Sequence, residues 1–302
     1  MRRLLFFLLL LVLLAGGAAW WLSRPVPLPP DAVAGLSGDP DRGETVFWAG
    51  GCASCHAAPD AEGEELRVLA GGARLDSDFG IFIAPNISPD ETHGIGGWTL
   101  AQFASAMVRG VSPAGRHYYP SFPYTSYAKM EMQDVADLHA FLQTLPASDR
   151  PSEPHQLRLP YSIRRGVGLW KLRYLNDTWV GAAPSETLER GRYLVEALAH
   201  CAECHTPRDQ FGGLDRGRWM AGAPNPSGRG TIPNITPAEL DWSAADIAFY
   251  LETGFTPGYD SAGGSMAKVV KSLANLPAAD RDAIAAYVKG LAPIPPATPA
   301  GE

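Results

Sequence analysis

Positive charge is scarce in this chain. Lys and Arg together number 25 against 32 Asp and Glu, a formal net charge of −7. That balance excludes a nucleic-acid role, because phosphate would be repelled. No strictly alternating apolar and polar run announces a half-buried strand, which argues against a sheet-based fold. No nucleophile triad, phosphate-cradling glycine loop or paired-carboxylate signature stands out, so the usual marks of hydrolytic and phosphoryl-transfer enzymes are missing. Cysteine is scarcer still: four in 302 residues. All four fall in two strings, Cys52-Ala53-Ser54-Cys55-His56 and Cys201-Ala202-Glu203-Cys204-His205.

Cys-x-x-Cys-His is the pattern of covalent c-type haem attachment. Two thiols add to the two vinyl groups of one porphyrin, and the histidine that follows ligates the iron. The predicted cofactor is therefore haem c, two copies. Cys52, Cys55, Cys201 and Cys204 would be the covalent attachment points, and His56 and His205 the proximal iron ligands. A zinc ribbon would bring its cysteine pairs within roughly 15–20 residues. Here the second pair starts 149 positions after the first. A thioredoxin-like motif would need a βαβ context and leave the histidines without a role.

A hydrophobic share of 46% supports buried cores, and the length suggests two domains. Charge is uneven: −9 over residues 31–145, +2 over 146–190 and −3 over 191–302. The acidic first domain suits steering of a basic redox partner. At the N-terminus, Arg2 and Arg3 precede an uncharged run from Leu4 to Leu22, ending at Trp20 and Trp21. That length suits a membrane span, with the positive flank in the cytoplasm and the indoles at the interface. A cleavable signal, with small residues from Ala15 to Ala19, competes with an uncleaved anchor. Pro25 to Pro30 reads as a stiff spacer lifting the body off the bilayer.

The remainder repeats itself. Arg42-Gly43 and Arg190-Gly191 precede the two haem strings. Pro85-Asn86-Ile87-Ser88-Pro89 is answered by Pro233-Asn234-Ile235-Thr236-Pro237, Trp98 by Trp242, Gly110 by Gly254, and Pro113 by Pro257. Thr99 with Gln102, and Ser243 with Asp246, have capping-box spacing, and Gly110 and Gly254 are suitable helix terminators. Leu100, Phe103 and Met107 give one apolar helix face, and Ile247, Tyr250 and Leu251 its counterpart. Val135, Leu138, Phe141 and Leu142 give a final helix, answered by Ile284, Tyr287 and Val288. The pattern predicts an all-α chain of two tandem haem domains after an N-terminal transmembrane helix, a layout that resembles class I cytochrome c domains. The predicted partition is 1–24 anchor or signal, 25–35 spacer, 36–146 first domain, 147–186 linker, 187–293 second domain and 294–302 tail.

On the distal side, Met266 in the Gly-rich stretch 263–267 is the predicted sixth ligand of the second haem, in a loop before the final helix. Methionine sulfur there raises the reduction potential and closes the iron. In the first domain Phe122 stands where methionine is wanted. Met130 is the predicted distal ligand, although its counterpart Leu276 suggests packing; His117 and an open iron are the alternatives. Asn86 and Asn234 read as loop braces. Trp98 and Trp242 read as haem-wall or core aromatics. His93, His139, His155 and His200 have no assigned role.

These haem strings, the Pro-Asn-Ile turns, the run from Tyr119 to Tyr127 and the stretch Leu157–Leu172 resemble those of bacterial membrane-anchored multihaem cytochromes c. The likeness covers nearly the whole chain beyond the N-terminal segment. It is similar to the cytochrome c subunits of periplasmic alcohol dehydrogenases and of molybdenum-containing aldehyde or N-heterocycle dehydrogenases. Those subunits often carry three haems; two haem strings here imply a shorter, dihaem version. Alcohol-dehydrogenase relatives have Ala-Met where this chain has Ser121-Phe122, which singles out the first haem's distal side. The resemblance implies an electron-transfer protein, not an enzyme. It would take electrons from a periplasmic dehydrogenase catalytic subunit and pass them to quinone, a soluble cytochrome or a terminal oxidase. Inner-membrane anchorage with periplasmic haem domains is implied as well. A dihaem enzyme, peroxidase-like or sulfur-oxidising, with an open first haem is the alternative.

Overall fold

The structure, a computed structural model, describes residues 1–226 and 230–295. Most of the predicted tail, residues 296–302, lies outside the described residues. Helix α1 (Arg2–Leu22) has a mean hydropathy of 2.4 and no buried residue, and is long and apolar enough to cross a membrane.

The first repeat follows with α2 (Pro40–Ala49), α3 (Cys52–His56), strands β1 (Arg74–Ser77) and β2 (Gly80–Ile83), then α4 (Leu100–Arg109), α5 (Tyr124–Tyr127) and α6 (Met132–Leu142). The connecting segment holds β3 (Gln156–Leu157) and α7 (Gly166–Tyr174). The second repeat runs through α8 (Glu186–Arg192), a π-helical extension (Tyr193–Leu198), α9 (Ala202–His205), β4 (Ala223–Pro224), β5 (Thr231–Ile232), α10 (Ala244–Thr253), α11 (Gly264–Leu273) and α12 (Ala278–Lys289).

The chain is mainly helical, but the all-α expectation needs correction. An antiparallel sheet β1-β2-β3 and a two-stranded pair β4-β5 are present. Among the described residues no strand exceeds four residues. That is too short for a period of two to rise above chance, and pairing with the connecting segment is invisible to a local pattern.

The repeated motifs have physical reasons. Both predicted capping boxes form: Thr99 with Gln102 and Ser243 with Asp246 close the N-termini of α4 and α10. Gly110 and Gly254 end them at φ +58° and +79°, where a Cβ would clash with the following carbonyl. Gly43 lets α2 cross α6 closely; a Cβ there would stand 2.0 Å from Asp137 O. Gly191 does the same for α8 on α12, 2.1 Å from Ala283 O. The preceding arginines lock these crossings. Arg42 Nε donates to Asp137 Oδ2 at 2.8 Å, and Arg190 Nε to Asp280 Oδ1 at 2.8 Å. Apolar stripes do not reveal Asp137 and Asp280, because each is a polar residue inside an otherwise buried face.

Two further expectations change. The stretch around Met266 is helix, not loop: α11 begins at Gly264. The Pro-rich spacer is no free stalk either. Ser23 is buried, Leu28 N–H donates to Ser105 Oγ at 3.2 Å, and Val33 enters the core. Proline stiffens this segment, but hydrogen bonds and burial lay it along the body. The connecting segment reaches both repeats. β3 extends the first repeat's sheet, while Trp170 Nε1 and Tyr174 Oη donate to Phe211 O (3.0 Å) and Asp209 Oδ2 (2.6 Å) in the second.

Candidate haem sites

Each haem string folds as a single helical turn, which puts residues i, i+3 and i+4 on one face. Cys52, Cys55 and His56 therefore share a side of α3. Cys201, Cys204 and His205 do so at α9. None of the four cysteines forms a disulfide. Burial, reinforced by the neighbouring cysteine, pushes the Cys52 and Cys201 thiols up to about 12. Burial raises Cys55 as well.

The histidines are held the same way in both repeats. His56 Nδ1 lies 2.8 Å from Pro85 O, and His205 Nδ1 lies 2.8 Å from Pro233 O. A carbonyl only accepts, so Nδ1 carries the proton and Nε2 presents its lone pair. Burial draws both imidazoles below their ordinary range, which keeps them neutral. The Pro-Asn-Ile turns thus have two jobs. Their proline carbonyls orient the histidines, and their asparagines brace the turn. Asn86 Nδ2 donates to Ser148 O and Arg150 O, both at 2.8 Å, and Asn234 Nδ2 donates to Ile294 O at 2.8 Å.

The donor set fits a thioether-bound haem at each string: two thiols on one helical face beside a neutral imidazole with a free Nε2. A further feature supports the second site. Trp219 Nε1–H is buried without a hydrogen-bond partner. The next residue, Met220, donates from N–H to Thr206 Oγ1 at 2.9 Å, beside His205. A porphyrin carboxylate is the kind of acceptor this indole lacks.

Met266, the residue expected to face the second iron, sits in the first turn of α11, half-buried against the core. Phe122 occupies the matching place in the first repeat. Tyr118 N–H bonds to Gly110 O just as Ala262 N–H bonds to Gly254 O, and Phe122 and Met266 follow four residues later in each case. Phe122 packs edge-on against Tyr127 at 5.7 Å and Tyr118 at 5.8 Å. Met130 is buried in the turn after α5. Its N–H bonds to Tyr127 O as that of Leu276 bonds to Leu273 O. His117 is committed elsewhere: Nε2 lies 2.9 Å from Ser23 O and Nδ1 3.2 Å from Lys171 Nζ.

The two haem strings are interlocked. Ser54, inside the first string, donates from Oγ to Lys268 O of α11 at 3.3 Å and meets Ser272 Oγ at 3.4 Å. Glu203, inside the second, accepts from Thr125 and Ser126 of α5 at 3.0 and 3.4 Å. Between them Tyr127 bonds to Gly50 O at 3.3 Å and stacks edge-on with His200 at 5.7 Å. Each string therefore packs on a helix of the other repeat, α11 or α5. Sequence reading missed this junction and Trp219, because no short-range pattern encodes them.

Residues 40–146 and 188–292 each match the cytochrome c family. A diheme cytochrome c-type protein of Cereibacter sphaeroides is 62% identical over 292 residues, covering 96% of this chain and 98% of that one. The fructose dehydrogenase cytochrome subunit of Gluconobacter japonicus is 38% identical, over 83% of this chain and 52% of that protein. The alcohol dehydrogenase (quinone) cytochrome c subunit of Komagataeibacter europaeus is 31% identical, over 88% and 58% respectively. The chain thus spans nearly all of the diheme relative but only about half the length of the dehydrogenase subunits. With two matching segments, two thioether-forming strings and two carbonyl-held histidines, the chain belongs to the cytochrome c family and carries two covalent haems c.

Proposed function

We propose that this dihaem cytochrome is the electron-transfer subunit of a periplasmic dehydrogenase complex, held in the inner membrane by α1. It takes electrons from the catalytic subunit and delivers them to quinone, a soluble cytochrome or a terminal oxidase. The supporting observation is the interlocking of the two haem strings through Ser54 and Glu203, which brings both cofactor-bearing turns to one shared junction. The relatives named as dehydrogenase cytochrome subunits support the choice of donor.

Each bound haem supplies a one-electron couple. The chain's own residues set its conditions. His56 and His205 are the proximal ligands, with Pro85 and Pro233 fixing their tautomer and adding basicity to Nε2. Cys52, Cys55, Cys201 and Cys204 fix position covalently. Met266 would supply the further iron ligand of the second haem and Met130 that of the first. The domains run over residues 36–146 and 187–293, with 25–35 as the N-terminal connector and 147–186 joining them.

A second reading is a dihaem enzyme with an open first iron. Phe122 favours it, since it stands at the position of Met266 and cannot ligate, and so does His117, whose ring nitrogens are both engaged. One experiment separates the two. The purified holoprotein is titrated with carbon monoxide in the reduced state and assayed alone for peroxidase and thiosulfate oxidation. No binding and no turnover support the carrier; binding at one haem, lost in no ligand variant, supports the enzyme.

A further inference from the structure

The end of α1 is built into the body. His117 Nε2 donates to Ser23 O at 2.9 Å, and Arg165 donates from Nε to Ser23 Oγ at 3.0 Å and from Nη2 to Trp20 O at 2.5 Å. The Arg165 guanidinium also lies 4.2 Å over the Trp20 ring. Gly168 completes the seat, since a Cβ there would stand 2.2 Å from Ser23 O. The direction of α1 is therefore fixed relative to the haem-bearing repeats.

Around this seat the connecting segment exposes large apolar side chains. Leu159 is 77% exposed, Leu172 62% and Ile163 58%, with Tyr161 and Leu169 also exposed. On α7, Leu169 and Leu172 stand at i+4 and i+7 from Arg165, so they continue the face that grips Trp20. Ile163 lies two residues before that arginine, in the turn that leads into the helix. Residues 158–173 also carry Arg158, Arg164, Arg165 and Arg173 and no acidic residue, besides a buried Lys171, in a chain whose net charge is −7. Exposed leucines beside arginines, level with interfacial tryptophans, are the composition of a surface that rests at a bilayer boundary. Anionic headgroups complement the local positive charge.

We propose that the segment from Leu159 to Leu172 is a second membrane contact, with its apolar side chains in the headgroup–acyl boundary of an anionic bilayer. Together α1 and this segment hold the two haem sites at one tilt to the membrane plane. The proposal rests on the reading of α1 as a membrane span. Its occupant is lipid, because the patch continues the surface of a helix already suited to lipid.

The full-length holoprotein is placed in phosphatidylcholine–phosphatidylglycerol vesicles containing a diazirine-bearing phospholipid, irradiated, and mapped by peptide mass spectrometry. Adducts are expected on α1 and on residues 159–172. The Leu159→Ser/Ile163→Ser variant, whose changes are at exposed positions, should keep its haem content and α1 adducts while losing linker adducts several-fold. Labelling of α1 alone overturns the proposal, including when an added dehydrogenase then shields 159–172. Equal linker labelling without phosphatidylglycerol overturns the role of headgroup charge. Absence of label on α1, with protein in the supernatant, instead brings down the anchor reading. Linear dichroism of the haem bands in oriented membranes tests the fixed tilt: strong in the wild type and reduced in the variant is expected, and equal signals contradict it.

Discussion

Thr125 donates from Oγ1 to Glu203 Oε1 at 3.0 Å, and with that bond the second haem string is tied to a helix of the first repeat. Glu203 also holds Arg208 at 2.6 Å within its own domain. A largely buried carboxylate with these partners is worth more at the junction than a surface ion pair would be. Glu203→Ala should cost about 1.5–3 kcal/mol, the range for hydrogen bonds to a charged group. Chemical denaturation monitored at the haem bands measures it. Electron exchange between the haems, followed after flash reduction, should slow in the same variant as the junction loosens.

Glycine at the helix crossings makes a contrasting pair of predictions. Gly43→Ala forces a methyl to 2.0 Å from Asp137 O. The cost of overpacking, about 1–3 kcal/mol or more, should outweigh the roughly 1 kcal/mol gained in helix propensity. Gly166→Ala, at the start of α7, meets nothing within 4 Å. It should be neutral or slightly stabilising. Denaturation midpoints of the two variants, read against the wild type, should move in opposite directions or leave the second unmoved.

The two methionines predict different spectra. Met266→Leu should open the second iron, admit carbon monoxide and lower that haem's potential, because methionine ligation raises it. Met130→Leu should do the same at the first haem. Leucine already fills the equivalent turn at Leu276, so folding is not in question. An unchanged sulfur-to-iron charge-transfer band in Met130→Leu would remove Met130 from the ligand set.

A buried lysine gives the pH dependence. Lys171 donates to Arg109 O at 2.7 Å and Gly110 O at 2.8 Å, and burial pulls its pKa from 10.5 down to about 7. Between those values the unfolded chain binds a proton that the folded chain lacks, so stability rises with pH across that window. Below about 7 the full cost of charging the amine is present. The stability of the wild type relative to Lys171→Met should therefore increase from pH 7 towards pH 10. A flat difference across the series would show that the ammonium stays charged.

Much of this was legible from local patterns. The Cys-x-x-Cys-His strings, the capping boxes at Thr99 and Ser243, and the terminating Gly110 and Gly254 each act within a few residues, so spacing reveals them. The repeat even marked Arg42-Gly43 before its reason was visible, namely a close crossing fastened to Asp137. What stayed hidden depends on distant pairings. Ser23, His117 and Lys171 meet across 148 positions of chain. The β2–β3 pair joins residues more than 70 apart. No periodicity encodes such contacts. The Pro-rich connector misled for a different reason: proline content measures stiffness but not whether the stiff segment stands free or lies on the body.

The central claim is that both cysteine pairs carry covalent porphyrin, and intact-mass spectrometry of the denatured, acid-washed protein tests it most directly. The account predicts the polypeptide mass plus two haems, falling to one when Cys52 and Cys55, or Cys201 and Cys204, are replaced by alanine. A wild-type polypeptide that runs at its bare mass, or with a single haem, would contradict it.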